Sequence, residues 1–327
     1  MKVLITGGAG FLGTLLGREL LQRKQLLGRA ISELVLADLT PPSADLVARE
    51  HVRALTGPLL DFCPEVETTG FEAVFHLAGA VSAECESDFE LGMRSNLDTT
   101  RALLDALKVA GNRPRVVFAS SVAVFGGDPG IPLPPVIRDN TLPTPQSSYG
   151  IQKFIGEQLV ADYTRKGYID GRSGRLMTVA IRPSPPNGAA SGFFSSIVRE
   201  PLNEMDVVCP VPPEMPVALA SPANTVNSLI SLAEAPQDAL GGRTAINFPA
   251  LTVTVAEILD ALEAVAGKAA RERVRFVESP EVTRIVGGWP AAFQSERAAR
   301  LGLRPDRNMR SIIDRFVCEQ DVMRVEA

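Results

Sequence analysis

Residues 3–13 of the chain read VLITGGAGFLG, and few folds can use such an opening. An apolar run short enough for one strand, residues 2–6, passes into a turn holding Gly7, Gly8 and Gly10. A helical apolar pattern then starts at Phe11. A helix entered this way turns its unpaired N–H groups and the positive end of its dipole toward the turn, and glycine lets an anion approach without meeting a Cβ. The unit is suited to a pyrophosphate. Its spacing is Gly7-x-x-Gly10-x-x-Gly13 rather than the commoner G-x-G-x-x-G. Glycines also open ordinary turns; the position directly after a first strand is what favours a dinucleotide.

The rest of the chain alternates in the manner of an α/β protein. Residues 34–37 form a second buried strand ending at Asp38, whose carboxylate can accept hydrogen bonds from ribose hydroxyls and repel a 2′-phosphate. No arginine follows at residues 39–42, so NAD is expected rather than NADP. Residues 52–56 and 73–79 give third and fourth strands, the latter almost continuously apolar, as strands covered on both faces are. His76 is read as a packed strand-end residue rather than a base. Ala78, Gly79 and Ala80 are small enough for a planar ring to lie against the strand end. Ser82 beyond them either reaches a substrate or caps a turn. A helical pattern over residues 88–110 contains Asn96, and residues 115–121 form a fifth strand ending in two serines. The proline-rich stretch 126–145 at that strand's carboxyl end is expected to be a lid. A helix from about Ser147 to Thr164 follows, then a sixth strand over 176–182 that starts late, after the polar Arg172-Ser173-Gly174.

These elements predict a Rossmann-type, doubly wound parallel sheet with a smaller C-terminal substrate-binding lobe. The expected division is 1–183 with a return segment at about 215–247 for the nucleotide domain, and 184–214 with 248–327 for the lobe. A length of 327 residues suffices for both. With a net charge of −5 and no basic patch, neither nucleic acid nor an anionic membrane is an expected partner. The longest apolar run falls short of the ~18 residues of a membrane span. The glycines interrupt the run after Lys2, so it is not read as a signal peptide. Four cysteines in no disulfide or metal spacing point to a reducing, cytoplasmic setting, and no metal is expected.

Tyr149 and Lys153 are four apart and share a helix face. With Ser121 ending the fifth strand, they can form a proton-transfer device. An ordinary tyrosine titrates near 10, and an adjacent ammonium together with a cationic nicotinamide favours the phenolate. Tyr149 is then the general base for a substrate hydroxyl, Ser121 a partner of the same oxygen, and Lys153 also a ligand of the nicotinamide ribose. Y-x-x-x-K alone is common; with the glycine turn and the serine-ended strand it is specific.

TGGAGFLG (6–13), Asp38, HLAGA (76–80), Asn96, FASSVAVFG (118–126), YGIQK (149–153) and Arg182-Pro183 together resemble the extended short-chain dehydrogenase/reductases of the NAD-dependent epimerase/dehydratase type. NFPALTVTVAEIL (247–259) and SERAARLGLRP (295–305) extend the likeness to the C-terminal part. The resemblance implies Ser121, Tyr149 and Lys153 as catalytic residues and Asn96 as a helper orienting the lysine through water. It implies cofactor contacts at Gly7, Gly10, Phe11, Leu12, Gly13, Asp38, Leu59, Ala78, Gly79 and Pro183, and dimerisation through the helices carrying Asn96 and Tyr149. TPQSSYG (144–150), DYTRKGYIDG (162–171), SSIVREPL (195–202) and VVCPV (207–211) resemble a branch that oxidises the 2-hydroxyl of a four-carbon sugar acid. Gly57-Pro58 stands where the wider family has an adenine-contacting Asp, and proline offers no such acceptor.

The chain is therefore expected to be an NAD-dependent dehydrogenase of a small sugar acid. The other readings are a nucleotide-sugar epimerase or dehydratase with tightly bound NAD, and a cofactor-binding regulator without turnover. For the acid's carboxylate the sequence reading points to Arg199, with Ser82, Ser121 and Asn187 gripping the polyol.

Overall fold

The computed structural model describes residues 1–183 and 190–325. Seven parallel strands make the main sheet: β1 (Lys2–Thr6), β2 (Glu33–Asp38), β3 (Val52–Thr56), β4 (Ala73–His76), β5 (Arg115–Ser121), β6 (Asp170–Leu176) and β7 (Ile246–Asn247). Their order, β7-β6-β5-β4-β1-β2-β3, reverses direction between β1 and β4. At such a switch point loops on either side diverge and open a crevice beyond the strands' carboxyl ends. One apolar cluster joins β1 and β2 to α1 (Phe11–Arg23) and to a late helix, Pro222–Glu234. Another, on the opposite face, joins the sheet to helices at Thr99–Ala110 and Ser148–Arg165. A third is built from residues 180–219 and 253–316, around the helices Phe193–Leu202, Val255–Ala266 and Met309–Val325.

Two elements differ from expectation. The sixth strand begins at Asp170, pairing with β5 from Arg115↔Asp170 to Ser121↔Leu176, and so includes the polar stretch. Its arginines are buried against partners distant in the chain. Arg172 donates to the carbonyl of Leu232 at 2.8 Å. Arg175 forms two bonds to Glu157, at 2.8 and 2.7 Å. Residues 126–145 are not a lid over the crevice. Ile137–Arg138 pairs with Phe293–Gln294, and buried Ile137 packs with Phe125, pinning the loop to the C-terminal part.

Among the described residues, no helix is long and apolar enough to cross a membrane, and no side-chain cluster could hold a metal ion.

Candidate active site

The crevice at the switch point is a cavity of about 890 Å³ running from Asp38 to Tyr149. At one end the glycine turn has the geometry its residues require. Gly7 lies at φ +74°, and a Cβ there would stand 2.8 Å from the Ala78 nitrogen. A Cβ on Gly13 would stand 2.1 Å from the Gly7 carbonyl oxygen, so no other residue lets helix and strand approach this closely. The first turn of α1, with Phe11 and Leu12, lines the cavity. Asp38 accepts hydrogen bonds from the N–H groups of Ala9 at 2.9 Å and Thr40 at 3.3 Å, which fixes its carboxylate across the turn. Gly57, Pro58, Leu59 and Leu60 supply an apolar edge beside it. Asp38→Arg is expected to weaken NAD and reverse the discrimination against NADP by about tenfold or more, since a charged hydrogen bond contributes ~1.5–3 kcal/mol. The measurement is the ratio of kcat/KM for the two cofactors; a wild type already preferring NADP would exclude this role for Asp38.

At the other end stand Ser121, Tyr149 and Lys153. Ser147 caps the helix Ser148–Arg165, accepting from the Gly150 N–H at 3.1 Å, which places Tyr149 in the first turn and Lys153 one turn on. The Lys153 ammonium donates to the Ala119 carbonyl at 3.0 Å and lies 5.7 Å from the centre of the Tyr149 ring. Burial pushes the lysine's pKa down to about 8, against the smaller opposing effect of Cys85. Burial also raises the Tyr149 phenol above its usual value; the Ser121 hydroxyl and the Arg182 charge pull it down. The lowering charge from the protein is thus that of Arg182, a residue the sequence reading had used only as part of a motif.

Asn96 is buried behind this wall, in a π-type stretch, Met93–Asp98, of the kind often found at functional sites. Its Nδ2, with two protons to give, faces three acceptors: the carbonyl of Ala80 at 3.2 Å, the Cys85 sulfur at 3.2 Å and Gln152 Oε1 at 2.8 Å. That leaves Oδ1 without a partner among the described residues. A Cβ on Gly79 would meet Asn96 Oδ1 at 2.5 Å and Lys153 Nζ at 3.4 Å, so both face the same side of Gly79.

Ser82 lines the cavity and accepts from the Ala190 N–H at 3.3 Å. Ala78 and Gly79 also line it, whereas Pro183 is exposed and stands outside the wall. Asn187 lies outside the described residues. Arg199 does not line the cavity either. Its guanidinium donates to the Arg182 carbonyl at 3.0 Å, the Ser196 hydroxyl at 3.3 Å and the Glu200 carboxylate at 2.6 Å. It stands behind Arg182, which does reach the cavity, its guanidinium 5.5 Å from the Phe11 ring centre and donating to the Val179 carbonyl at 3.1 Å. Two further wall residues had no signal in the sequence: Arg94, and Trp289 from the C-terminal part.

Adenosine-end and hydride-end markers thus share one continuous cavity, the arrangement an extended dinucleotide requires. Residues 3–211 match the NAD dependent epimerase/dehydratase family. The chain belongs to that family. It is 48% identical to the D-erythronate dehydrogenase of Cupriavidus necator, over 97% of this chain and 98% of the relative. It is 40% identical to that of Haemophilus influenzae, over 97% and 99%. A solved structure, the nucleoside-diphosphate-sugar epimerase from Agrobacterium tumefaciens, superposes with a TM-score of 0.89 at 40% identity, covering 96% of this chain and 92% of its own. Family membership makes NAD the cofactor, in agreement with Asp38 and the missing arginine.

Proposed function

We propose that this chain is a cytoplasmic D-erythronate dehydrogenase, oxidising the 2-hydroxyl of the acid to 2-keto-D-erythronate. The observation that carries the reading is a guanidinium, Arg182, on the wall of the same cavity that Tyr149 and Ser121 line. A substrate that keeps a carboxylate beside its reacting hydroxyl needs such a charge, because burying an unpaired carboxylate is costly. The two full-length dehydrogenase relatives support the same substrate.

In this reading residues 1–183, with a return segment at about 215–247, hold NAD; residues 184–214 and 248–327 shape the acid's site. Bound NAD supplies the hydride acceptor and a cationic ring. The α1 N-terminus, Gly7, Gly10 and Gly13 receive its pyrophosphate, Asp38 its adenosine ribose and Lys153 its nicotinamide ribose. Tyr149 takes the proton of the 2-hydroxyl, Ser121 orients that oxygen, and Asn96 holds Lys153 through water. Ser82 and Asn187 are the proposed polyol contacts, with Arg182 taking the carboxylate role expected of Arg199.

The test is NADH formation from a panel of aldonic and uronic acids, with D-erythronate expected to be the best substrate. The Agrobacterium epimerase gives a second reading its support. A protein that purifies with bound NAD and forms no net NADH from any acid would favour that alternative.

Arg182→Met is expected to raise the KM for D-erythronate about tenfold or more, the loss of one charged hydrogen bond, with the KM for NAD little changed. Arg199→Met strands the half-buried Glu200 carboxylate and should show mainly as lost stability. The reverse pattern, a raised KM from Arg199→Met alone, would return the carboxylate to Arg199.

A homodimer is proposed through the face carrying Phe89 and Ile151, exposed on the elements next to Asn96 and Tyr149. Light scattering of the purified chain would read a single-chain mass if this were wrong.

A further inference from the structure

Between the cofactor wall and the Asn96 segment runs a file of four hydrogen bonds. The Ala78 N–H lies 3.3 Å from Thr6 Oγ1, and Thr6 Oγ1 lies 2.6 Å from His76 Nδ1. His76 Nε2 lies 2.9 Å from Thr100 Oγ1, which lies 2.6 Å from the Asn96 carbonyl oxygen. Thr6, His76 and Thr100 are all buried.

The carbonyl end of the file, with the ring neutral, fixes the direction of the bonds at His76. A backbone N–H can only donate, so Thr6 accepts from Ala78 and is free to give its own proton to His76 Nδ1. A carbonyl can only accept, so Thr100 gives its proton to Asn96 and is left to accept from His76 Nε2–H. His76 is thereby held as the Nε2–H tautomer with both ring nitrogens satisfied. Its pKa is pushed down to about 3, by burial first and by the Lys153 charge second, so the ring stays neutral. A threonine bonding the carbonyl four residues back is ordinary in helices. Here the same hydroxyl also receives the imidazole, at the junction of the Met93–Asp98 stretch and the helix that follows.

We propose that His76, acting through Thr100, is a positioning residue that holds the Asn96 turn at a fixed depth beneath Gly79, keeping Asn96 Oδ1 on the side of Lys153. The inference rests on the catalytic roles of Asn96 and Lys153 given above. Polar bonds to Ala80 and Gln152 hold the Asn96 side chain, and the file of hydroxyls and imidazole holds its backbone. A shift of the carbonyl carries the unpaired Oδ1 with it. At its opposite end the same file fixes the Ala78 N–H on the cavity wall, so both walls of the cofactor site share one tether.

The chain has two histidines, so replacing exposed His51 by Gln leaves His76 as the single imidazole signal. Long-range ¹H–¹⁵N NMR of His51→Gln is expected to show a neutral Nε2–H ring, unchanged between about pH 5 and 8. An Nδ1–H ring, or one that titrates in that window, would overturn the proposal. In kinetics, Thr100→Val keeps the shape and removes the hydroxyl. It is expected to lower kcat about tenfold with the KM for NAD unchanged, while Thr100→Ser restores kcat to within about twofold of wild type. Val and wild type turning over alike, or Ser as slow as Val, would refute the positioning role. The NMR arm needs no turnover, so a wrong substrate assignment and a wrong tautomer are separately visible.

Discussion

Replacing Tyr149 by Phe should lower turnover at least 10²-fold, the lower end for removal of a general base, while NAD affinity stays nearly unchanged. Phenylalanine keeps the ring beside Lys153 and removes only the hydroxyl proposed to accept the substrate proton. Burial holds the phenol above its ordinary range, with Ser121 and Arg182 opposing. In the proposed mechanism the phenolate is the active form for oxidation, so rates should rise with pH through the tyrosine's titration. The Lys153 ammonium works the other way: it is lost as pH rises through about 8, so support for the phenolate weakens on the alkaline side. The variant is compared with wild type by kcat and by titration with NAD. Turnover within a few fold of wild type would remove Tyr149 from the mechanism.

Glu157→Gln should destabilise the fold by about 3–5 kcal/mol, the usual result of stripping one member from a buried ion pair. The Glu157 and Arg175 side chains are 1% and 5% exposed, and two parallel bonds join them. Ser120 donates to the same carboxylate at 2.5 Å, and Arg175 donates to Asn247 at 3.2 Å. One ion pair therefore ties together β5, β6, β7 and the helix that carries Tyr149. Neutralising the carboxylate strands a guanidinium in the interior. Urea denaturation should show a lower midpoint at unchanged slope. Replacing both partners, Glu157→Leu with Arg175→Met, should recover most of the loss, because burying two opposite charges costs nearly as much as their attraction returns. A single variant within 1 kcal/mol of wild type would contradict this account.

The sequence revealed what depends on neighbours in the chain. Gly7, Gly10 and Gly13 have their roles within one strand–turn–helix unit, and Tyr149 and Lys153 within one helix. Asp38 needed only the end of a strand. The polar start of β6 is hard to read because Arg172 and Arg175 bond Leu232 and Glu157, partners that only the folded chain brings close. The expectation that Arg199 lines the cleft met the same kind of difficulty: Arg182 lines it and Arg199 does not. Both sit near the sixth strand's exit, and which of them reaches the cavity depends on how the chain turns after Val179. The π-type stretch around Asn96 left no trace, since its apolar residues recur much as in an ordinary helix. The loop 126–145 was taken for a lid because its two-residue pairing with Phe293–Gln294 is too short to show in a pattern.

Trp289 gives the molecule an optical property. It is the chain's one tryptophan, and its ring stands on the wall of the cavity that receives the dinucleotide. Indole emission from the whole protein therefore comes from a single position on that wall. Reduced nicotinamide absorbs in the range where indole emits, so the light lost from Trp289 reports bound reduced cofactor, and its return reports release.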